Sequence, residues 1–401
     1  MTVDWCRPQR AESEVMDYPW GETGPDAFIG RLTGDDNEAP KAELWMGAHP
    51  KAPSMVAGEG LDQWFSKRPE LLGKESLSIY PEGLPYLFKV LSAAKPLSIQ
   101  LHPNKKEAEE LHARDPEHYP DDNHKPEIAI ALEEHEALIG FDALEELLVL
   151  FELYPELTSL LDEVALSKLK NSLGENDNAK KELLKKAFNS LFKVAEDTPE
   201  KIKEAAIKLS ERLSSKDKRT EKEDWFLKLA SEGEETDAGL FCLFFLNYRV
   251  LQPGEGVFLK ADVPHAYLRG NIIECMANSD NVVRAGLTPK FIDVKTLSRI
   301  VQVELEPLEV QRGESNGLGG EVFRVPVKEF EVHHWTSEGE EMSVNLAGLL
   351  GPRMVVVLRG TVAFREGETF SKGEVFFMSN LCSASMKLAK ETEIYLARPG
   401  V

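Results

Sequence analysis

Two stretches of this 401-residue chain, GEGVFLKADVPH (254–265) and GEVFF (373–377), share a short pattern that decides the expected fold. Each places a glycine and a glutamate before a run of β-branched and aromatic residues, which is typical of a strand that begins after a turn. The first stretch ends at His265, whereas the second contains no histidine. We therefore expect two β-structures of related design, of which the first carries the chemistry.

The sequence before the second stretch supports this interpretation. Two strand-like runs, 355–359 and Thr361–Phe364, are separated by Gly360 and are predicted to form a hairpin. A hairpin followed by a Gly-Glu-Val-Phe phrase is typical of jelly-roll barrels of the cupin type. The sequence therefore predicts a mainly β protein with a catalytic cupin-type barrel and a C-terminal barrel that is structural.

A helical segment interrupts the strand-like sequence. Leu184, Phe188 and Leu191 recur at helical spacing, and the positions between such residues are mostly Lys and Glu. This pattern predicts an inserted α-helical domain whose charged faces are solvated. The predicted division is the first part of the catalytic barrel at 1–141, the helical domain at 142–239, the second part of the barrel at 240–310 and the C-terminal jelly-roll domain at 311–401.

Composition limits the partners and the compartment. The 47 basic and 69 acidic residues give a net charge of −22, which disfavours nucleic acid and anionic membranes as partners. The four cysteines are far apart, and no apolar run is long enough to span a bilayer, so we expect a cytoplasmic location. A monomer is compatible with the sequence, which does not determine the oligomeric state. An anionic substrate would need a local cluster of basic residues.

A group of potential metal ligands lies around the strand LSIQLH (97–102). Its alternation places Ser98, Gln100 and His102 on one face. Gln100 and His102, together with Glu127 and His265, offer two imidazoles, a carboxylate and an amide oxygen, which suits zinc, although iron, manganese or nickel also fit by ligand type. The alternative is a hydrogen-bonded core strand without a metal.

The residues after this strand predict a short helix. Asn104 is followed three residues later by Glu107, which is the spacing of a capping box. The helix is expected to continue to about His112 and to end before the Asp115-Pro116 pair.

Three segments resemble the type I phosphomannose isomerases, which are zinc-dependent. They are AELWMGAHP (42–50), KPLSIQLHP (95–103) with HKPE (124–127), and the stretch from PHAY (264–267) to RAGLTPKF (284–291). The resemblance extends from about Tyr18 to the end of the chain and is weakest in the helical domain and the last ninety residues. It implies an aldose–ketose isomerase that interconverts mannose 6-phosphate and fructose 6-phosphate through a cis-enediol, with one zinc per chain.

The resemblance also implies roles for individual residues. It implies that the zinc ligands are Gln100, His102, Glu127 and His265, and that Arg284 is the catalytic arginine. The residues that match the family's substrate pocket are Ser98, Lys125, Tyr267, Glu274, Asp280, Lys290, Trp20 and Glu43.

The sequence leaves two questions open. The base that takes the C2 proton could be Glu274, Asp280, Lys125 or a zinc-bound hydroxide. The alternatives to an isomerase are another metal-cupin enzyme, such as an oxygenase with a three- or four-histidine iron site, and a sugar-phosphate-binding regulator without catalysis. The regulator would require loss of a ligand or of Arg284, and neither is missing.

The remaining histidines are given structural interpretations. His49 is expected to be packed and hydrogen-bonded, and His124 is expected to point away from the side of Lys125. The histidines expected at the surface are His112, His118, His135, His333 and His334.

Overall fold

The computed structural model describes residues 3–232, 237–306, 308–365 and 367–401. The elements up to residue 141 are β1 (Gln9–Ala11), β2 (Glu14–Met16), α1 (Phe28–Thr33), β3 (Glu43–Gly47), β4 (Met55–Val56), β5 (Glu59–Gly60), α2 (Leu61–Lys67), a 3₁₀ helix (Pro69–Leu72), α3 (Lys74–Ile79), β6 (Tyr86–Ala93), β7 (Ile99–Leu101), α4 (Lys105–Arg114), β8 (Glu127–Ala131) and β9 (His135–Phe141). A helical stretch follows, with α5 (Leu144–Leu153), α6 (Pro155–Thr158), α7 (Glu163–Lys170), α8 (Asp177–Asp197), α9 (Pro199–Ser214), α10 (Glu221–Glu232) and α11 (Gly239–Cys242).

Strands return after α11. The next elements are β10 (Leu246–Leu251), β11 (Glu255–Leu259), β12 (His265–Ala277), β13 (Val283–Gly286), α12 (Val294–Ile300) and β14 (Val310–Arg312). The last part of the chain has β15 (Glu314–Ser315), β16 (Glu321–Phe323), β17 (Glu331–Ser337), β18 (Met342–Asn345), β19 (Arg353–Arg359), β20 (Thr361–Phe364), β21 (Thr369–Ser371), β22 (Val375–Met378), β23 (Ser385–Leu388) and β24 (Thr392–Arg398). Mainly β structure with an inserted helical region confirms the predicted fold class.

The first barrel is built around one long strand, β12. Its C-terminal half pairs with β6 and β8, whereas its N-terminal half pairs with β7 and β9, so the strand contributes to both walls. The two halves meet at Gly270, which has a φ of 114°. A Cβ at this position would lie 2.5 Å from the carbonyl oxygen of Glu134, so only glycine fits the bend.

The first barrel lies between two other layers. The outer face of its β6–β8–β12 wall contributes Phe88, Ile130 and Ile273 to a core shared with Met354 and Phe377 of the C-terminal barrel. The opposite wall contributes Ile99, Leu138 and Ala285 to a core shared with Phe188 and Phe245, next to the helical region. Both outer faces of the first barrel are therefore covered by apolar cores.

The C-terminal barrel, which is the second barrel of the chain, has two sheets. One is seven-stranded, β1-β22-β19-β24-β17-β16-β15, and the other is four-stranded, β18-β23-β20-β21. The predicted hairpin at Gly360 is wrong, because β19 and β20 belong to different sheets. Gly360 has a φ of 73°, and a Cβ there would lie 2.3 Å from Thr392 Oγ1. The chain therefore changes sheets at Gly360, and β20 forms its hairpin with β21 instead.

The short helix predicted after the strand at 97–102 is confirmed. It is α4, and Asn104 and Glu107 form both hydrogen bonds of a capping box. The helix ends at Arg114, two residues beyond the predicted His112, because Asp115-Pro116 disfavours continuation.

The helical region is attached to the first barrel by polar contacts. Glu136 on β9 accepts hydrogen bonds from Trp225 Nε1 on α10 at 2.7 Å and from Tyr248 on β10 at 2.8 Å. On α8, Lys185 and Asn189 donate to carbonyl oxygens of the last turn of α12, at 2.9 and 3.1 Å. Lys185 therefore bonds to α12 through a hydrogen bond that is itself exposed to solvent. In the described ranges, no helix combines the length and apolar character that crossing a membrane requires.

Candidate active site and metal centre

Three ionisable side chains converge in the interior of the first barrel. His102, Glu127 and His265 are each only 1% exposed. His265 Nε2 lies 3.1 Å from Glu127 Oε1, and His102 Nε2 lies 3.5 Å from Glu127 Oε2. One ligand atom from each side chain can be chosen so that all three lie within 4.8 Å of one another. These are three of the four side chains expected to bind zinc.

The hydrogen bonds of both imidazoles determine which nitrogen is free. The Nδ1–H of His102 donates to the carbonyl oxygen of Asn281 at 2.8 Å, and that of His265 donates to the carbonyl oxygen of Val263 at 3.0 Å. Since a carbonyl oxygen can only accept, the neutral form of each imidazole has its proton on Nδ1 and its lone pair on Nε2. Both lone pairs point toward the same carboxylate.

Three potential ligand atoms of this group are buried. Among the described residues, His102 Nε2, His265 Nε2 and Glu127 Oε2 have no hydrogen-bond partner. Buried polar atoms without partners are costly, and a divalent cation would satisfy all three at once. A donor set of two neutral imidazoles and one carboxylate is a set that zinc accepts. The residues therefore fit the expected metal.

The charges around the site favour the protonation states that a metal requires. Burial, reinforced by the charge of Lys125, lowers the pKa of His102 to about 4, so the imidazole is neutral at neutral pH. Burial alone would raise the pKa of Glu127, but the ammonium of Lys125 holds it well below its usual range. Glu127 is therefore an anion that faces the neutral imidazole of His102.

Gln100, the fourth expected ligand, occupies the central strand of three at this end of the barrel. It pairs directly with His265 of β12 on one side and with Arg284 of β13 on the other. Directly opposed residues in an antiparallel pair project to the same face, so all three side chains are on the inner face. The pairing of β7 with its two neighbours thus places the Gln100 amide, the His265 imidazole and the Arg284 guanidinium next to one another.

Two polar side chains contact Glu127 from the pocket side. The hydroxyl of Tyr267 donates to Glu127 Oε1 at 3.2 Å, and Lys125 Nζ lies 3.6 Å from Glu127 Oε2. Burial and the nearby carboxylates of Glu127 and Glu274 raise the pKa of Tyr267 well above its usual value. Tyr267 therefore acts as a hydrogen-bond donor that holds the carboxylate of Glu127.

A buried ion cluster, which the sequence analysis did not identify, lies along the same inner face. Lys89 Nζ is 2.8 Å from Glu274 Oε2 and 3.5 Å from Glu43 Oε2. The two carboxylates outweigh the effect of burial and raise the pKa of Lys89. Glu43 also accepts a hydrogen bond from Trp45 Nε1. Glu43 and Glu274, both expected pocket residues, are thus joined by a lysine.

Arg284 is half-buried, and among the described residues its guanidinium has no hydrogen-bond or ion-pair partner. Burial lowers its pKa, and the guanidinium nevertheless remains charged. Ser98 is half-buried before β7, and Lys290 is exposed in the loop after β13. Arg284, which pairs with Gln100 of β7, is therefore a cation available for an anionic oxygen.

The other expected pocket residues lie nearer the rim. Asp280, 27% exposed in its side chain, has Lys51 Nζ at 2.8 Å and His49 Nε2 at 3.5 Å from its Oδ2. Trp20 stacks on Tyr18, with a centroid separation of 5.7 Å, and packs against the barrel's inner cluster.

Two of the histidines expected at the surface are buried. His135 faces the barrel interior beside Tyr267, with 5.3 Å between ring centroids, and His333 stacks on Trp335 inside the second barrel. Both lie on the inner faces of strands whose partners are distant in sequence. His124 bonds to Glu329 at 2.8 Å whereas Lys125 reaches Glu127, so the two side chains point in different directions.

Comparison with known families finds two matches along the chain. Residues 9–144 match the catalytic domain of type I phosphomannose isomerase, and residues 160–246 match the helical insertion domain of the same family.

Named relatives cover almost the whole chain. The mannose-6-phosphate isomerase of Homo sapiens is 34% identical over 411 residues, covering 96% of each chain. The mannose-6-phosphate isomerase 2 of Arabidopsis thaliana is 37% identical over 394 residues, covering 92% of this chain and 88% of its own.

Solved structures of phosphomannose isomerases share the fold of this chain. A lysine-to-alanine variant of phosphomannose isomerase from Salmonella typhimurium is 30% identical, with a TM-score of 0.85, and the match covers 98% of this chain and 100% of that one. A mannose 6-phosphate isomerase bound with zinc and yttrium matches with a TM-score of 0.82, 30% identity and the same coverage.

Proposed function

The chain belongs to the type I phosphomannose isomerase family, and from this premise we propose how its residues divide the work of interconverting mannose 6-phosphate and fructose 6-phosphate. The observation that carries the proposal is the buried set of His102, Glu127 and His265 with unpartnered ligand atoms. We propose that these three side chains, with Gln100, hold one zinc ion per chain. When bound, zinc supplies a Lewis acid that polarises the oxygens of the sugar.

The chain's own residues have separate tasks in this proposal. Arg284 lies beside Gln100, has no hydrogen-bond or ion-pair partner in the described part of the chain, and stabilises the negative charge that develops on the enediol oxygens. Tyr267 and Lys125 hold the carboxylate of Glu127 in place. The phosphate end of the substrate is bound by Lys290 and Ser98, which supply a positive charge and a hydroxyl donor.

For the proton at C2, Glu274 is the best supported of the candidate bases. Burial raises its pKa, which brings a carboxylate nearer to the value suited to a base at neutral pH. Lys89 contacts one of its oxygens and fixes its orientation. Asp280 is held by Lys51 near the rim, where we propose that it contributes, with Trp20 and Glu43, to the shape of the pocket.

The alternatives have less support. An oxygenase with a three- or four-histidine iron site is not favoured, because the metal group found among the described residues contains only two histidines. A regulator without catalysis is not favoured either, because every expected ligand and Arg284 are present.

We propose the division 1–141, 142–239, 240–310 and 311–401 for the domains, with the proviso that β1 pairs with β22 and so completes the C-terminal sheet. We also infer a cytoplasmic monomer without nucleic-acid or membrane partners. The four free cysteines and the net charge of −22 support this inference.

The proposed function is tested by removing and restoring the metal in the purified protein. The protein is expected to convert fructose 6-phosphate to mannose 6-phosphate, to lose this activity on treatment with a chelator, and to regain it with one equivalent of zinc. Product formation is measured by an assay specific for mannose 6-phosphate, with zinc content determined on the same samples. Full activity in a sample free of metal would rule out the metal-dependent mechanism.

A further inference from the structure

Asp121, in the loop between α4 and β8, binds three consecutive residues that lie far away in sequence. Its Oδ1 accepts hydrogen bonds from Ser279 Oγ at 2.8 Å and Asn281 Nδ2 at 3.0 Å, and its Oδ2 accepts one from the backbone N–H of Asp280 at 2.7 Å. The backbone carbonyl of Asp121 accepts a second hydrogen bond from Asn281 Nδ2, at 2.7 Å. One residue therefore fixes the position of the whole 279–281 segment.

The 279–281 segment in turn contacts the metal centre. The backbone carbonyl oxygen of Asn281 accepts the Nδ1–H of His102 at 2.8 Å. The side chain of Asn281 is fully buried, and its backbone N–H donates to Ser279 Oγ at 3.2 Å. The direction of this carbonyl, and hence of the imidazole, depends on the hydrogen bonds that hold the segment.

We propose that Asp121 is a positioning residue that sets the orientation and tautomer of His102 through the Asn281 carbonyl. The inference rests on the proposed function, because it assigns a task in the proposed zinc site. Partners that orient a metal-binding histidine typically contribute 10–100-fold, as an order of magnitude, to metal affinity. Among the described residues, Asp121 forms no hydrogen bond or ion pair with Glu127 or His265, so its proposed effect passes through His102.

The number of hydrogen-bond donors that face the side chain of Asp121 explains why this position requires a carboxylate. Besides the three groups of the 279–281 segment, Oδ1 of Asp121 accepts the backbone N–H of Asn123 at 3.0 Å. Both oxygens are therefore acceptors. An asparagine would replace one acceptor by an NH₂ group that faces another donor. Asp121→Asn, although similar in shape, should thus release part of the segment.

The test measures zinc affinity of the full-length protein by competition with a chromophoric chelator. Asp121→Asn is expected to weaken zinc binding by about 10–100-fold and to change the visible absorption spectrum of the cobalt-substituted protein, which reports coordination geometry. The matched control is Asp122→Asn, because the side chain of Asp122 is 66% exposed and has only a 3.4 Å contact with Lys105. Its zinc affinity and cobalt spectrum should equal those of the parent protein.

Unchanged zinc affinity and an unchanged cobalt spectrum in folded Asp121→Asn would overturn the inference. If that variant does not fold, Ser279→Ala removes a single donor to Asp121 and should shift zinc affinity in the same direction by a smaller factor; no shift would overturn the inference equally. His102→Ala serves as the reference. Zinc binding that survives this change would show that the proposed metal site is wrong, whereas binding that depends on His102 and not on Asp121 rejects the positioning role alone.

Discussion

Replacing His102 or His265 by alanine is expected to abolish stoichiometric zinc binding and to lower isomerase turnover by about a thousandfold or more, on the scale of the several kcal/mol that a Lewis-acid metal contributes. Each substitution removes one of two imidazoles whose Nε2 points toward Glu127. The remaining imidazole and carboxylate would form an incomplete set that zinc binds weakly. Zinc content by elemental analysis and turnover on mannose 6-phosphate, measured on the same preparations, test this expectation.

The control for the histidine variants is His118→Ala. The side chain of His118 is 39% exposed and pairs with Asp115 at the surface, so its removal should leave zinc content and turnover unchanged. Both ligand variants should retain the barrel fold, because the cores on its two outer faces contain neither histidine. Full zinc occupancy in His102→Ala or His265→Ala would place the metal elsewhere.

Arg284→Ala is expected to lower kcat by about 10²–10³-fold, roughly 3–4 kcal/mol, with a smaller effect on KM. The guanidinium is half-buried, unpaired among the described residues, and in register with Gln100. The charge it is proposed to meet is partial in the bound sugar and close to full in the enediol, so we expect it to act mainly on the transition state. Arg284→Lys should recover only part of the rate, because an ammonium lacks the planar fork of the guanidinium.

Steady-state kinetics at saturating mannose 6-phosphate separate this role from phosphate binding. If Arg284 only anchored the phosphate, Arg284→Ala would raise KM strongly and leave kcat unchanged, which is the result that refutes the transition-state role. The matched control is Arg312→Ala, since the Arg312 side chain is 63% exposed and pairs with Glu255. Its kinetic constants should be those of the parent protein.

Features that depend on neighbouring residues were predicted well from the sequence. The alternation of LSIQLH placed Gln100 and His102 on one face, and Asn104 and Glu107 form the predicted capping box. Both features depend on local geometry, namely the period of a strand and the spacing of a helix cap. The resemblance to a family supplied the ligand set, and three of its members do converge in the structure.

Features that depend on distant pairing were missed or wrong. Lys89 lies in the apolar run YLFKVLSA, and its partner Glu274 is 185 residues away. The prediction of a hairpin at Gly360 was wrong because β19 and β20 belong to different sheets. Their pairing partners, and not the turn between them, decide this. No potential partner lies at strand or helix spacing from His135 in the sequence. Only the closure of the barrel buries it beside Tyr267.

The hydrogen-bond partner of His102 also depends on distant pairing and was not predicted from the sequence. The Asn281 carbonyl that accepts from its Nδ1 is 179 residues away, and a backbone carbonyl leaves no trace in residue identity. The sequence can therefore suggest which residues bind a metal. It cannot indicate which nitrogen is free to do so, because that depends on hydrogen bonds formed only in the folded chain.

Anomalous diffraction at the zinc absorption edge, from crystals of active protein, would show whether His102, Glu127 and His265 bind the zinc. A single strong peak per chain is expected at bonding distance, about 2.0–2.2 Å, from both Nε2 atoms and a Glu127 oxygen, with Gln100 completing the set. A peak at any other position, or an empty site in crystals of fully active protein, would contradict this assignment of the ligands.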